Sequence, residues 1–312
     1  MFKLRILALA ALSVFLFTTQ PTAAAATSLF VVTRSDQPGH SLLLGGSIHL
    51  LRQTDFPLPP EFTAALSQAN QLVLESDVSS TQQAQLGARM LSLSQLEAGK
   101  TLADLLSPAL WQRLSAYCQK ANLPLEQLQQ SKPFFFSMML TVTHLQRLGF
   151  VPGVDYYLDE QARKSGKPVG QLESAEEILA MMKAVDNLKP DDIIKSTLDD
   201  MDRIEPMLAG VLKAWREGDL GVIQKEMVAP MQEQMPLLYK LVLVERNQRW
   251  LPQIERLFTS PGVELVVVGS AHLTGPDGLI SQLIARGYRV SAWTAPAPKV
   301  IQPASSLRQA AQ

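Results

Sequence analysis

The sequence predicts an α/β fold: a mixed β-sheet core formed by pseudo-symmetric N- and C-terminal units, with a large helical insert between them. Three observations carry this expectation. Short runs of Val, Leu and Phe bounded by turn residues occur near both ends of the chain. Two of these runs lead into matching turns, Gly46-Ser47-Ile48-His49 and Gly269-Ser270-Ala271-His272. Between them, apolar residues recur mainly at helical rather than strand spacing.

Taken in order, residues 1–26 read as a signal peptide. Lys3 and Arg5 precede the apolar stretch 6–17, and small residues follow at 23–26. That stretch falls short of the roughly 20 apolar residues of a membrane helix, so no stable span is expected once the leader is removed. Export follows, into the periplasm if the source is Gram-negative. Residues 28–33 and 41–45 then read as two strands of a hairpin turned at Asp36-Gln37-Pro38-Gly39. The first Gly-Ser-x-His turn comes next, followed by a proline-rich loop (Pro57, Pro59, Pro60), a helix over 61–69 and a strand over 71–75.

The C-terminal unit repeats this order, with a strand over 263–268, the second turn, a helix over 278–286 and a strand over 288–293. Such internal similarity is the basis for expecting two copies of one unit. The insert, about 80–258, shows helical patterns over 102–118, 133–148, 156–165, 191–215 and 237–258, interrupted by a strand over 168–173. Residues 27–296 thus form a single expected domain, and the proline-rich 297–312 reads as a disordered tail.

Composition narrows the function. A hydrophobic content of 46% supports a sizeable core, while a formal net charge of -1 with no long basic run argues against a nucleic-acid partner. With Cys118 as its only cysteine, the chain forms no internal disulfide. Its helical context reads as a small buried residue rather than a nucleophile.

The candidate chemistry gathers at the two turns. A Val-Val-Val strand is of the kind buried within a sheet, and residues just past the carboxyl ends of such strands are where ligands bind in open α/β folds. Glycine at 269 suits a sharp bend there, because a residue without Cβ tolerates positive φ. If the two strands pair directly, His49 and His272 meet at one rim, where two neutral imidazoles can hold a divalent metal. Either histidine alone reads rather as bonding its own turn. Two of four histidines in matched contexts weight the pair toward a shared site.

Glu75 closes the apolar run Leu72-Val73-Leu74 and needs a metal or an arginine as partner if buried. Glu173 ends 168–173 in the same way, although the following Ser174-Ala175-Glu176-Glu177 is a capping-box pattern. Arg246, beside Asn247 in an amphipathic segment, belongs either to a solvated face or to the site, where its planar fork would orient Glu75 or Glu173 or stabilise an oxyanion. The cluster at Phe134-Phe135-Phe136-Ser137-Met138-Met139 reads as core, with the floor of a substrate cleft as the alternative.

These pieces, with Leu74-Glu75-Ser76-Asp77, Gly153-Val154-Asp155, Gly166-Lys167-Pro168, Leu172-Glu173-Ser174, Glu245-Arg246-Asn247 and Gly287-Tyr288-Arg289-Val290, resemble the TraB/GumN family, which is related to the Tiki metalloproteases. They run in order through nearly all of the mature chain. The resemblance implies an α/β fold with internal pseudo-symmetry and a site built from the two Gly-x-x-His motifs and glutamates. In the Tiki branch such a site supports metal-dependent peptide hydrolysis with manganese or cobalt. Carried onto this chain, His49, His272 and Glu75 become metal-site residues, with Glu173 and Arg246 in support.

The expected activity is therefore an exported metal-dependent hydrolase, a peptidase acting on peptides or protein segments. Glu75 or Glu173 would be its base or a further ligand, and a mixed nitrogen and oxygen ligand set admits Mn, Co or Zn. The alternatives are a non-catalytic protein that sequesters a peptide, as in pheromone shutdown, and a structural fold whose histidines only tie turns.

Overall fold

Strands that are apolar on both faces must be covered on both faces, and that requirement sets the layers of this molecule. The computed structural model describes residues 27–34, 36, 40–258 and 262–295. The leader, the tail and most of the first hairpin turn lie outside the described residues. In chain order the strands are β1 (Leu29–Thr33), β2 (Ser41–Ser47), β3 (Leu50–Arg52), β4 (Gln71–Leu74), β5 (Phe150–Pro152), β6 (Val169–Gln171), β7 (Val263–Gly269) and β8 (Arg289–Ala292). Six of them form one sheet in the order β6-β4-β7-β2-β1-β8. The fold is α/β with a mixed sheet. Strands β6, β4, β7 and β2 run parallel, and β1 is antiparallel to both of its neighbours.

Alternation along these strands sends each successive residue to the opposite layer. Leu43, Leu72, Leu74, Leu265 and Val267 pack on one face with Phe62, Leu158 and Trp215. On the other, Leu42, Leu44, Val73, Val266 and Val268 pack with Trp250, Ile254, Leu279 and Leu283. Each side chain fully buried in this way is worth roughly 1.5–3 kcal/mol. The helix after the first turn, Pro60–Gln68, thus covers one face, and the helix after the second, Leu279–Ala285, covers the other.

Between β4 and β7 the chain is mainly helical, and a third cluster around Leu114, Cys118, Phe136 and Leu198 forms there without sheet residues. Cys118 is buried, and burial pushes its thiol up to about 11. Phe135 and Phe136 are core residues. Among the described residues no helix is long and apolar enough to cross a membrane.

Several expected helices are divided. The pattern over 102–118 breaks into Leu102–Leu105 and Pro108–Lys120, because Pro108 lacks the N–H that would continue a helix and instead starts the second one. That over 191–215 becomes Pro190–Met201 and Ile204–Glu217. The stretch 237–258 becomes Pro236–Tyr239, a π-helical turn at Lys240–Val244 and the helix Glu245–Leu257. Apolar spacing persists across each break, so periodicity alone does not reveal it. The antiparallel ribbon of β3 and β5 is a further addition, with strands too short for a periodic signal.

Candidate functional site

All four parallel strands present their carboxyl ends at one rim. In register, Ser47 of β2 lies opposite Gly269 of β7, and Leu74 of β4 lies opposite Val267. Residues just past these ends, His49, Glu75, Glu173 and the turn bearing His272, are therefore neighbours, as direct pairing of β2 with β7 requires. The turns abut: Ser270 Oγ donates to Ser47 O at 2.9 Å, and a Cβ on Gly46 would sit 2.6 Å from Ser270 Oγ. Trp215 Nε1 donates to Gly46 O at 2.7 Å and pins the first turn from the helical layer.

Gly269 has φ -52°, so the positive φ expected of it is not what the position demands. Close approach is. A Cβ there would lie 3.2 Å from both Glu75 Oε1 and His49 Nε2, so a bare Cα lets the carboxylate and the imidazole converge on one point.

Both histidines are anchored through Nδ1, by different partners. His49 Nδ1 is 2.8 Å from Asp155 Oδ2. Asp155 is delivered by the helix Val154–Lys164, whose start is bonded to the turn through Gly153 N to His49 O at 2.8 Å and Val154 N to Ile48 O at 3.1 Å. Protein crowds the His49 ring, yet 59% of its side-chain surface is open to solvent. Its charge is governed by the Asp155 carboxylate, which pushes the imidazole up to about 9 against the cost of desolvation.

His272 is buried, with Nδ1 2.7 Å from Asn247 Oδ1. The Asn247 amide nitrogen donates to His272 O and Asp277 O, at 3.2 and 2.9 Å, which leaves its oxygen to accept. Nδ1 of His272 therefore carries the proton, and Nε2 presents a lone pair to the rim. Burial is the main reason that this imidazole is pushed down to about 3.

Arg246 occupies the centre. It follows the π-helical turn at the start of Glu245–Leu257, the kind of irregularity that recurs at functional sites. Its Nε and Nη2 bond Glu173 at 3.0 and 2.5 Å, Nη2 also reaches Glu75 Oε2 at 2.6 Å, and Nη1 lies 3.1 Å from His272 Nε2. The guanidinium lies over the ring of Trp250, 4.6 Å from its centroid. Both glutamates are buried. Burial alone would raise Glu75, but Arg246 and the imidazoles outweigh it and hold the carboxyl well below its usual range. For Glu173 burial prevails over the same guanidinium and the shift is upward.

His49, His272, Glu75, Glu173 and Arg246 are therefore all at this rim, but not as one equivalent set. Glu75 Oε1 faces both imidazoles, 3.8 Å from His272 Nε2, and accepts from Gly269 N at 2.5 Å. Glu173 sits behind Arg246. Asp155 and Asn247 were visible only as members of the Gly153-Val154-Asp155 and Glu245-Arg246-Asn247 motifs, with nothing local to show that each would hold an imidazole. Two imidazoles and a carboxylate are a donor set suited to a divalent metal. Anchoring Nδ1 so that Nε2 faces inward is also how metal-ligating histidines are commonly held. In the present arrangement Arg246 stands among these donors, and among the described residues no group of three His, Cys, Asp or Glu is already placed to hold an ion.

Comparison with known sequences covers most of the chain. The sequence profile described as the TraB/PrgY/gumN family matches residues 28–292. Among curated proteins, the chain is 26% identical over 247 residues to a Shigella flexneri protein named "Uncharacterized protein YbaP", covering 78% of this chain and 88% of that one. The protein of that name from Escherichia coli (strain K12) is 26% identical over 241 residues, covering 77% and 86%.

Proposed function

Because this chain belongs to the TraB/PrgY/gumN family, we propose that its carboxyl rim is the active site of a metal-dependent hydrolase acting on peptides or protein segments. The observation that carries the proposal is that Glu75 Oε1 lies beside both imidazoles, 3.8 Å from His272 Nε2 and crowding with His49 Nε2 around Gly269, while Asp155 and Asn247 anchor the two rings. These three residues would hold the ion, and Mn, Co or Zn suits their nitrogen and oxygen donors. When bound, such an ion supplies Lewis-acid polarisation and an activated water.

The chain's own residues have separable tasks. Asp155 fixes the His49 ring and Asn247 fixes that of His272, so neither Nε2 swings away from the rim. Arg246 holds Glu75 in its ionised form. Glu173 positions Arg246 by a two-point ion pair. His49, the most open of the group, marks the side from which substrate arrives. The export part of the proposal rests on residues 1–26 of the sequence.

The test is digestion of a peptide library by purified protein, chelated or loaded with Mn, Co or Zn, beside His49→Ala. Metal-dependent cleavage that disappears in the variant is expected. Saturable peptide binding without cleavage under every metal would replace the hydrolase with a sequestering protein.

A further inference from the structure

Arg246 engages two of the three residues that a divalent ion would need. Its Nη2 bonds Glu75 Oε2 and its Nη1 meets the lone pair of His272 Nε2. The one lone pair of His272 Nε2 cannot serve both, and across the two oxygens of Glu75 a guanidinium and a divalent cation repel one another. The remaining contacts make withdrawal feasible. Nη2 already has a second acceptor in Glu173 Oε1 at 2.5 Å, and Nη1 has one in Val242 O at 3.2 Å. If the bonds to Glu75 and His272 were released, each of these nitrogens would still have a partner, and the Trp250 ring would still lie beneath the guanidinium.

We infer that Arg246 is a displaceable internal cation that competes with a divalent metal for Glu75 and His272, and that Glu173 is the carboxylate onto which it withdraws. This rests on the metal reading given above and deepens it, because it makes metal affinity a property of the arginine as well as of the ligands. It also separates the two buried glutamates: Glu75 is contested, and Glu173 is the anchor. A purely orienting Arg246 would predict the opposite dependence, since its loss would leave Glu75 poorly placed and weaken the metal.

Calorimetric titration of metal-stripped full-length protein with Mn, Co and Zn tests this, for wild type, Arg246→Gln, Arg246→Lys and Glu173→Gln, with circular dichroism as the check on folding. The expected result is affinity about ten-fold tighter than wild type for Arg246→Gln, within the usual range of a coupling between two sites. Arg246→Lys keeps the competing charge and is expected near wild type. Glu173→Gln removes the anchor, leaves Arg246 on Glu75, and is expected to bind about ten-fold more weakly.

Arg246→Gln binding no tighter than wild type overturns the competition while leaving the metal reading intact. Should that variant not fold, Glu173→Gln binding as tightly as wild type overturns it equally. Binding by Arg246→Gln but not by wild type upholds the competition and overturns metal dependence in the natural protein. Absence of binding in every folded form overturns both.

Discussion

Replacing Gly153 by alanine probes how the first histidine is held. A Cβ at this position would lie 2.8 Å from the carbonyl carbon of His49 and 2.9 Å from its oxygen, and closer still to Ile48 O. The obstruction is backbone, so no side chain can rotate out of the way. Relief requires the start of the helix Val154–Lys164 to move off Ile48 O by roughly an ångström, given that even close C···O contacts are about 3.3 Å. Such overpacking costs about 1–3 kcal/mol. It also strains the two bonds from Gly153 N and Val154 N to the turn, each worth about 0.5–1.5 kcal/mol. Alanine returns about 0.4–1 kcal/mol by restricting the unfolded chain, so a net loss on the order of 2–4 kcal/mol is expected.

Two assays read this substitution. Urea unfolding gives the stability, and an NMR titration of His49 gives its pKa, expected to fall from about 9 toward the ordinary histidine value as Asp155 recedes. Gly87→Ala is the control. Gly87 is exposed in the helix Ser80–Leu93, a Cβ there meets nothing within 4 Å, and a gain of up to about 1 kcal/mol is expected. A Gly153→Ala protein within about 0.5 kcal/mol of wild type, the usual span of a neutral substitution, and still titrating as before would refute the reasoning.

Other substitutions and conditions test the surroundings. In chelator, stability is expected to peak near the ordinary histidine pKa of about 6.5. It declines toward acid because His272 is pushed down to about 3 and the unfolded chain takes up its proton first, with the lowered Glu75 adding to the loss below the ordinary glutamate range. It declines toward alkali as His49 loses its proton through about 9. Denaturant midpoints measured from about pH 4 to about pH 10, a span that takes in the ordinary pKa values of glutamate and histidine, check this, with His49→Ala flattening the alkaline limb and His272→Asn the acid one. Trp215→Phe keeps the stack on Phe62 but leaves Gly46 O without its indole donor, and a loss of about 1–3 kcal/mol is expected in thermal unfolding.

The sequence made the rim legible because its residues follow strand ends. Val-Val-Val before Gly269 and Leu-Val-Leu before Glu75 mark buried parallel strands, and direct pairing of β2 with β7 does the rest. What the sequence left open is the difference between two matching turns. His49 and His272 share the same Gly-Ser-x-His context, yet one is open beside a carboxylate and the other is buried beside an amide.

That difference comes from Asp155, 106 residues away from His49, and from Asn247, 25 residues away from His272. Periodicity carries no record of such long-range pairing. Likewise, amphipathic spacing places Arg246 on a helix without revealing the preceding π-helical turn or that the guanidinium pairs with two buried glutamates. The glycine of the second turn is legible as a bend after a strand, whereas the two side chains that close on it are not.

The proposed function requires the two turns and Glu75 to be one ion-binding site. Its most direct test is the change in thermal unfolding temperature on adding Mn, Co or Zn to chelator-treated wild type, His49→Ala and His272→Ala, with bound metal quantified by elemental analysis. A specific rise in wild type, with stoichiometric metal, that is lost in both variants is the expected result. No metal and no rise in wild type, or a rise unchanged by either substitution, would contradict it.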